Sequence, residues 1–146
     1  EESIFLSSFP EVNHEFLDSE LEKRWEELLK IRDEVNKALE IKRKERFIGN
    51  SLEAKVILHV NDHGYKILGK YNDFLPTLFI VSSAKVIKDV EAPKEAYKSS
   101  EVDGLSILVE KADGKKCERC WNWSTEVGKY EDYPDVCERC HEVLIS

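Results

Sequence analysis

The 146-residue sequence has no methionine, six glycines, four prolines and no cysteine before its last thirty residues. No apolar run approaches the ~20 residues of a membrane span. None of the residues reads as a secretory leader, so the cysteines are expected to be reduced and the chain cytoplasmic. No glycine-rich phosphate loop is present, and no serine or cysteine stands in a recognisable nucleophile turn. His14, His59, His63 and His141 are scattered. His59 reads as a packed or surface residue of a strand, and His141 as a neighbour of a metal site. The sequence therefore points to a binding unit without a catalytic site.

What is present is concentrated at the end. Cys117 and Cys120 form one C-x2-C pair, and Cys137 and Cys140 form another after sixteen intervening residues. Both lie in the tetrapeptide Cys-Glu-Arg-Cys. Two such pairs separated by about 15–20 residues have the spacing of a four-thiolate zinc site. Four protein ligands fill a tetrahedron and leave no position for water or substrate, so one structural zinc is expected. Two disulfides would need an oxidising compartment. Haem attachment at Cys137–His141 would leave Cys117 and Cys120 without a role and has no methionine to call on. A redox C-x-x-C explains only one pair.

Hydrophobic residues make up 41% of the chain and charged residues 36%, with a net charge of −8. That balance alone opposes a polyanion partner. Charge is segregated, however. Residues 42–46 carry four positive charges and one negative, whereas 113–146 has five basic and eight acidic side chains. Any polyanion must be held by local cations and stacking against the overall field.

The expected fold class is α+β, in three blocks: 1–49, 50–112 and 113–146. Residues 3–17 read as irregular and apolar-studded, broken by Pro10. A long helix follows, with Ser19 as N-cap and Glu22 completing a capping box. Its stripe is Leu21, Trp25, Leu28, Leu29, Val35, Ala38 and Leu39. It is expected to fade near Phe47 and stop at Gly49. With no second helix of matching length, its packing partners are expected outside this sequence. Ala54–Val60, 78–82, 85–90 and 105–110 read as strands of a mainly antiparallel sheet, with a short helix over Tyr65, Leu68, Tyr71 and Leu75. Asp113-Gly114 is a turn. The last block is a zinc-ribbon-like module with four aromatics, Trp121, Trp123, Tyr130 and Tyr133. A helical turn from Cys137 to Ile145 is expected to dock Val143, Leu144 and Ile145 on its neighbour. The opening Glu-Glu-Ser, without methionine, reads as part of something longer.

Two surfaces are candidates for binding. Arg119 lies inside the first metal turn and Trp121 follows it, a pairing suited to base stacking with phosphate or base-edge hydrogen bonds. Equally, Arg119 and Arg139 would offset the −2 charge of a zinc tetrathiolate while Trp121 shields the sulfurs. Lys42, Arg43, Lys44 and Arg46 would track a phosphate backbone, or simply complement the helix dipole.

The run from Trp25 through 28–40 to 48–54, with Cys117-Glu118-Arg119-Cys120-Trp121 and Cys137–Cys140 after it, resembles the C-terminal region of bacterial isoleucyl-tRNA synthetases over nearly the whole chain. The resemblance implies the end of a helical anticodon-binding bundle, a small α+β junction domain and a zinc module meeting the anticodon loop of isoleucine tRNA. It implies that Arg119 and Trp121 engage anticodon bases. The partners would be isoleucine tRNA and the remainder of the synthetase, with no membrane. The family's ATP-binding signatures are absent, so orienting tRNA, rather than charging it, would be the role. A similar four-cysteine ribbon occurs in formamidopyrimidine-type DNA glycosylases, which usually have glycine where this chain has Trp121. A third reading makes the zinc module a structural staple or protein-docking unit with core aromatics.

Overall fold

The computed structural model describes residues 3–88 and 91–146. Residues 3–17 form two isolated 3-10 turns, Ile4–Leu6 and His14–Phe16, with Phe5, Phe9 and their apolar neighbours in solvent. Helix α1 spans Ser19–Lys44, about 40 Å at ~1.5 Å per residue. Its N-cap is Asp18 and not Ser19: the carboxylate accepts from the N–H groups of Glu20 and Leu21 at 3.0 and 2.9 Å. An anion there also complements the positive end of the helix dipole.

The helix ends earlier than the position of Gly49 implies. The N–H of Phe47 donates to Lys42 O and that of Arg46 to Arg43 O, at 2.9 and 3.0 Å. This is the Schellman pattern, which needs a left-handed residue. Arg46 takes that conformation, with φ 58°.

Strand β1 (Ala54–Val60) follows the sequence reading. Asn61 caps α2 (Asp62–Gly69) through Gly64 N–H. Residues 78–82 are not a strand. Pro76 favours a helix start, giving α3 (Leu75–Phe79), and Ile80 closes it with φ 56°. Strand β2 is Ser83–Lys88, and residues 89 and 90 of the expected strand lie outside the described residues. Strands β3 (Tyr97–Lys98) and β4 (Ser106–Lys111) complete a sheet of order β2-β1-β4-β3. The β1–β2 pair is parallel, with α2 and α3 in the crossover, and the other two pairs are antiparallel.

The later turns of α1 find partners inside this chain. Leu28, Ile31, Val35 and Ala38 share one core with Val56, Leu58, Ile107 and Phe79. Apart from Ala38, each such side chain fully buried stabilises by about 1.5–3 kcal/mol. Trp25 packs against Tyr71 and Phe74, with ring centroids 6.2 and 6.1 Å away. Arg32 Nε donates to Leu78 O at 3.0 Å. Leu21, near the start of the helix, and Leu29, off the face that Leu28 presents to the core, remain exposed.

The last block has its own small core of Cys117, Val136, Cys137 and Cys140. It contains the ribbon β5 (Lys115–Lys116) with β6 (Trp123–Ser124), and helix α4 (Glu138–Ile145). Val143, Leu144 and Ile145 are exposed on α4, contrary to the docking expected of them. A helix of only eight residues aims Cys140 inward and leaves its far end over solvent.

Candidate metal centre and nucleic-acid interface

The ribbon is built around Gly114. It has φ +88°, and a Cβ there would lie 2.2 Å from Ser124 O, so only glycine permits the turn. Past the ribbon, Cys117 N–H donates to Asn122 O and Trp121 N–H to Cys117 O, both at 2.8 Å. These two bonds coil the first knuckle. Glu118 N–H donates to Asp135 O at 3.0 Å, tying the first knuckle to the second. Cys137 caps α4, and His141 N–H donates to Cys137 O at 2.9 Å.

The four sulfurs of Cys117, Cys120, Cys137 and Cys140 lie within 4.8 Å of one another. Cys120 Sγ and Cys137 Sγ are 3.7 Å apart. Tetrahedral zinc with Zn–S bonds of about 2.3 Å sets its sulfurs about 3.8 Å apart, so the cluster fits that ion. Burial pushes the Cys117 thiol up, but N–H groups of Cys120, Cys137 and Arg119 outweigh it and hold it at about 6. Burial and the neighbouring sulfurs push Cys137 up to about 12. The backbone thus favours a thiolate at Cys117, whereas Cys137 must lose its proton on metal loading.

The arginines cross. Arg119, in the first knuckle, places Nη1 3.6 Å from Cys140 Sγ in the second. Arg139, in the second, hydrogen-bonds Cys120 of the first, which keeps its guanidinium firmly charged. Each offsets thiolate charge on the opposite pair. The sequence left the offset as one of two alternatives for these arginines and gave no sign of the crossing, which depends on how the knuckles face each other.

The aromatics divide. Tyr130 stacks on His141 with centroids 3.9 Å apart, and Tyr133 meets the same ring edge-on at 6.2 Å. His141 is held by Asp132 through Nε2 at 3.0 Å. Trp123 is half-buried, its N–H bonded to Ser82 Oγ at 2.7 Å. Trp121 is 59% exposed. It has φ 67°, and the Lys116 ammonium lies 5.1 Å from its ring centroid.

The basic end of α1 also divides. Lys42 pairs with Glu45 and Arg43 with Glu40, both at 2.7 Å. Lys44 and Arg46 are exposed, and no carboxylate among the described residues pairs with either. Sequence reasoning missed Phe47, which has two ammonium groups, Lys42 and Lys111, each 5.7 Å from its centroid.

The family described as "Zinc finger found in FPG and IleRS" matches residues 114–143. The chain is 43% identical over 148 residues to an isoleucine–tRNA ligase of Natranaerobius thermophilus, with 99% of this chain and 16% of that protein covered. It is 40% identical to that of Rippkaea orientalis, again covering 99% and 16%. It is 44% identical to that of Desulforamulus reducens, covering 97% and 15%. The chain thus spans about a sixth of the length of these relatives. The matched finger and the four clustered thiols make one structural zinc its cofactor. With homology running along nearly all of its length and the zinc finger in place at 114–143, the chain belongs to the isoleucine–tRNA ligase family, as a part of that longer protein.

Proposed function

We propose that this chain is the tRNA-reading C-terminal part of an isoleucine–tRNA ligase. It would hold the anticodon loop of isoleucine tRNA so that the acceptor end reaches an active site elsewhere in the protein. In this reading Cys117, Cys120, Cys137 and Cys140 ligate the zinc. Residues 1–49 end the anticodon-binding bundle, 50–112 form the junction domain, and 113–146 form the zinc module. The working compartment is the cytoplasm.

The observation that carries the reading is the state of Trp121. A left-handed backbone costs a non-glycine residue about 1–2 kcal/mol, and an exposed indole recovers little of that by burial. Strain of this kind concentrates at binding sites. An indole fixed on a metal turn is a stacking platform for a base, with little freedom left to lose. Arg119 uses Nη1 on Cys140 and has further N–H donors for a base edge or phosphate. Arg46 and Lys44 are the members of the 42–46 cluster best suited to phosphates, since Lys42 and Arg43 already face carboxylates.

A second reading, the zinc module as a staple, is favoured by the crossed arginines, which neutralise the sulfurs, and by the Ser82–Trp123 link to the α+β unit. Competition binding separates the two. The zinc-loaded chain is expected to prefer an isoleucine anticodon stem-loop over the same stem with a scrambled loop. Trp121→Ala should weaken the preferred complex by about 1–3 kcal/mol, with zinc still stoichiometric. Equal binding to both loops, indifferent to Trp121, would leave only the staple.

A further inference from the structure

We propose that Lys111 and Lys116 are phosphate contacts, forming a cationic track that leads an RNA strand from the end of α1 to Trp121. The proposal rests on the RNA reading above and adds residues to its site.

In the turn between β4 and β5, the acidic groups are already engaged. Lys55 Nζ lies 3.0 Å from Glu110 and 3.1 Å from Asp113. Lys111 and Lys116 are exposed and form no carboxylate pair among the described residues. Their charge is uncancelled in a chain of net charge −8, where attraction of a polyanion must be local.

Both ammonium groups are held by aromatic rings instead. Lys111 stands 5.7 Å from the Phe47 centroid, and Lys116 stands 5.1 Å from that of Trp121. A carboxylate partner would order a lysine and cancel its charge. A ring face orders it and leaves the charge available to a third group.

The loop after α1 lies beside both lysines, through Phe47 at Lys111 and through a groove shared with Lys116, whose wall also carries the Glu53 carboxylate. Phe47 opens the loop whose residues 50–53 wall a groove of ≈ 400 Å³, and Lys116, Trp121 and Trp123 wall the other side. A strand entering beside Arg46 and Phe47 would pass Lys111, cross this groove and reach the indole. Lys115 supplies an internal control. Adjacent ribbon residues face opposite ways, so it points away from Lys116 and outside the track.

The test is the salt dependence of stem-loop affinity for the zinc-loaded chain. Each phosphate contact contributes about 0.7–0.9 to the slope of log K against log salt. The double variant Lys111→Gln, Lys116→Gln should flatten the slope by about 1.5 and leave the ratio of intact to scrambled loop unchanged. Lys115→Gln should leave the slope as it was. Equal melting and zinc content across variants exclude a folding effect. An unchanged slope in the double variant, with loop preference intact, overturns the track and spares the anticodon reading. Inorganic polyphosphate serves as a second probe. Lysine-dependent binding of it without any loop preference supports the track and overturns the anticodon reading. If the wild-type chain binds neither probe, both fall.

Discussion

The hydroxyl of Ser82 accepts the Trp123 N–H at 2.7 Å while donating to Leu52 O at 2.5 Å. One side chain just before β2 thus joins the α+β unit to the metal ribbon. Ser82→Ala would orphan a half-buried N–H and a carbonyl together. Each group left unsatisfied costs about 1–3 kcal/mol when water cannot replace the partner. The expected result is a lower melting temperature with four thiolates and zinc intact, and faster amide exchange at Trp123. Unchanged exchange there would show that the ribbon is held by other contacts.

Arg46 closes α1 with φ 58° in a position that glycine fills freely. Arg46→Gly should therefore stabilise the chain by about 1 kcal/mol, read as a shifted denaturation midpoint at constant slope. Arg46→Ala keeps the Cβ and gains nothing. If Arg46 also serves RNA, the glycine variant will bind more weakly while melting higher. A gain in stability with no loss of binding would place Arg46 outside the interface.

The two ends of that helix show what the sequence can and cannot tell. Ala54–Val60 was legible because a β-branched run dictates a strand locally. The zinc site was legible because C-x2-C spacing encodes the ligand geometry directly. Asp18 displaced Ser19 as cap because neighbouring residues compete for the same N–H groups, and periodicity cannot arbitrate between them. Residues 78–82 misled because Ile80 and Val81 carry strand propensity, whereas Pro76 had already started a helix. The helix stop at Arg46 was hidden because a non-glycine residue took the left-handed position. Phe47 with Lys111, Ser82 with Trp123, and Arg139 with Cys120 are long-range pairs that no local pattern announces.

Glu34 is 1% exposed, yet it bonds Lys37 and accepts from the Tyr97 hydroxyl at 3.1 Å. Burial pushes its carboxyl up, but hydrogen bonds from Lys37, Ser99 and Tyr97 outweigh it and hold it below the ordinary 4.5. A carboxyl depressed in the folded state gives stability that is present above 4.5 and lost as pH falls through the depressed value. Lys37 is raised above 10.5 by its bond to Glu34, so its share is complete below 10.5 and lost at higher pH. Glu34→Gln should destabilise the α1–β3 junction at pH 7, and its difference from wild type should shrink in acid. A pH-independent difference would make packing, not charge, the role of Glu34.

Metal removal should act on only part of the molecule. The core of Cys117, Val136, Cys137 and Cys140 is separate from the larger one that joins α1 to the sheet. Without zinc, four thiols and two crossed arginines have nothing to organise them, and metal-binding energy in so small a module is folding energy. Chelation, or Cys120→Ser, should therefore release the ribbon and α4 and erase their near-UV signal from Trp121 and Trp123. The helical signal of α1 should persist, because Leu28, Val35 and Leu39 owe nothing to the metal. Amide exchange read region by region decides the matter. Protection lost across 114–143 and kept across 54–60 is the expected pattern. Loss in both regions would mean that the Ser82 link makes one cooperative unit of the two cores, and retention in both would mean that zinc is not what folds the module.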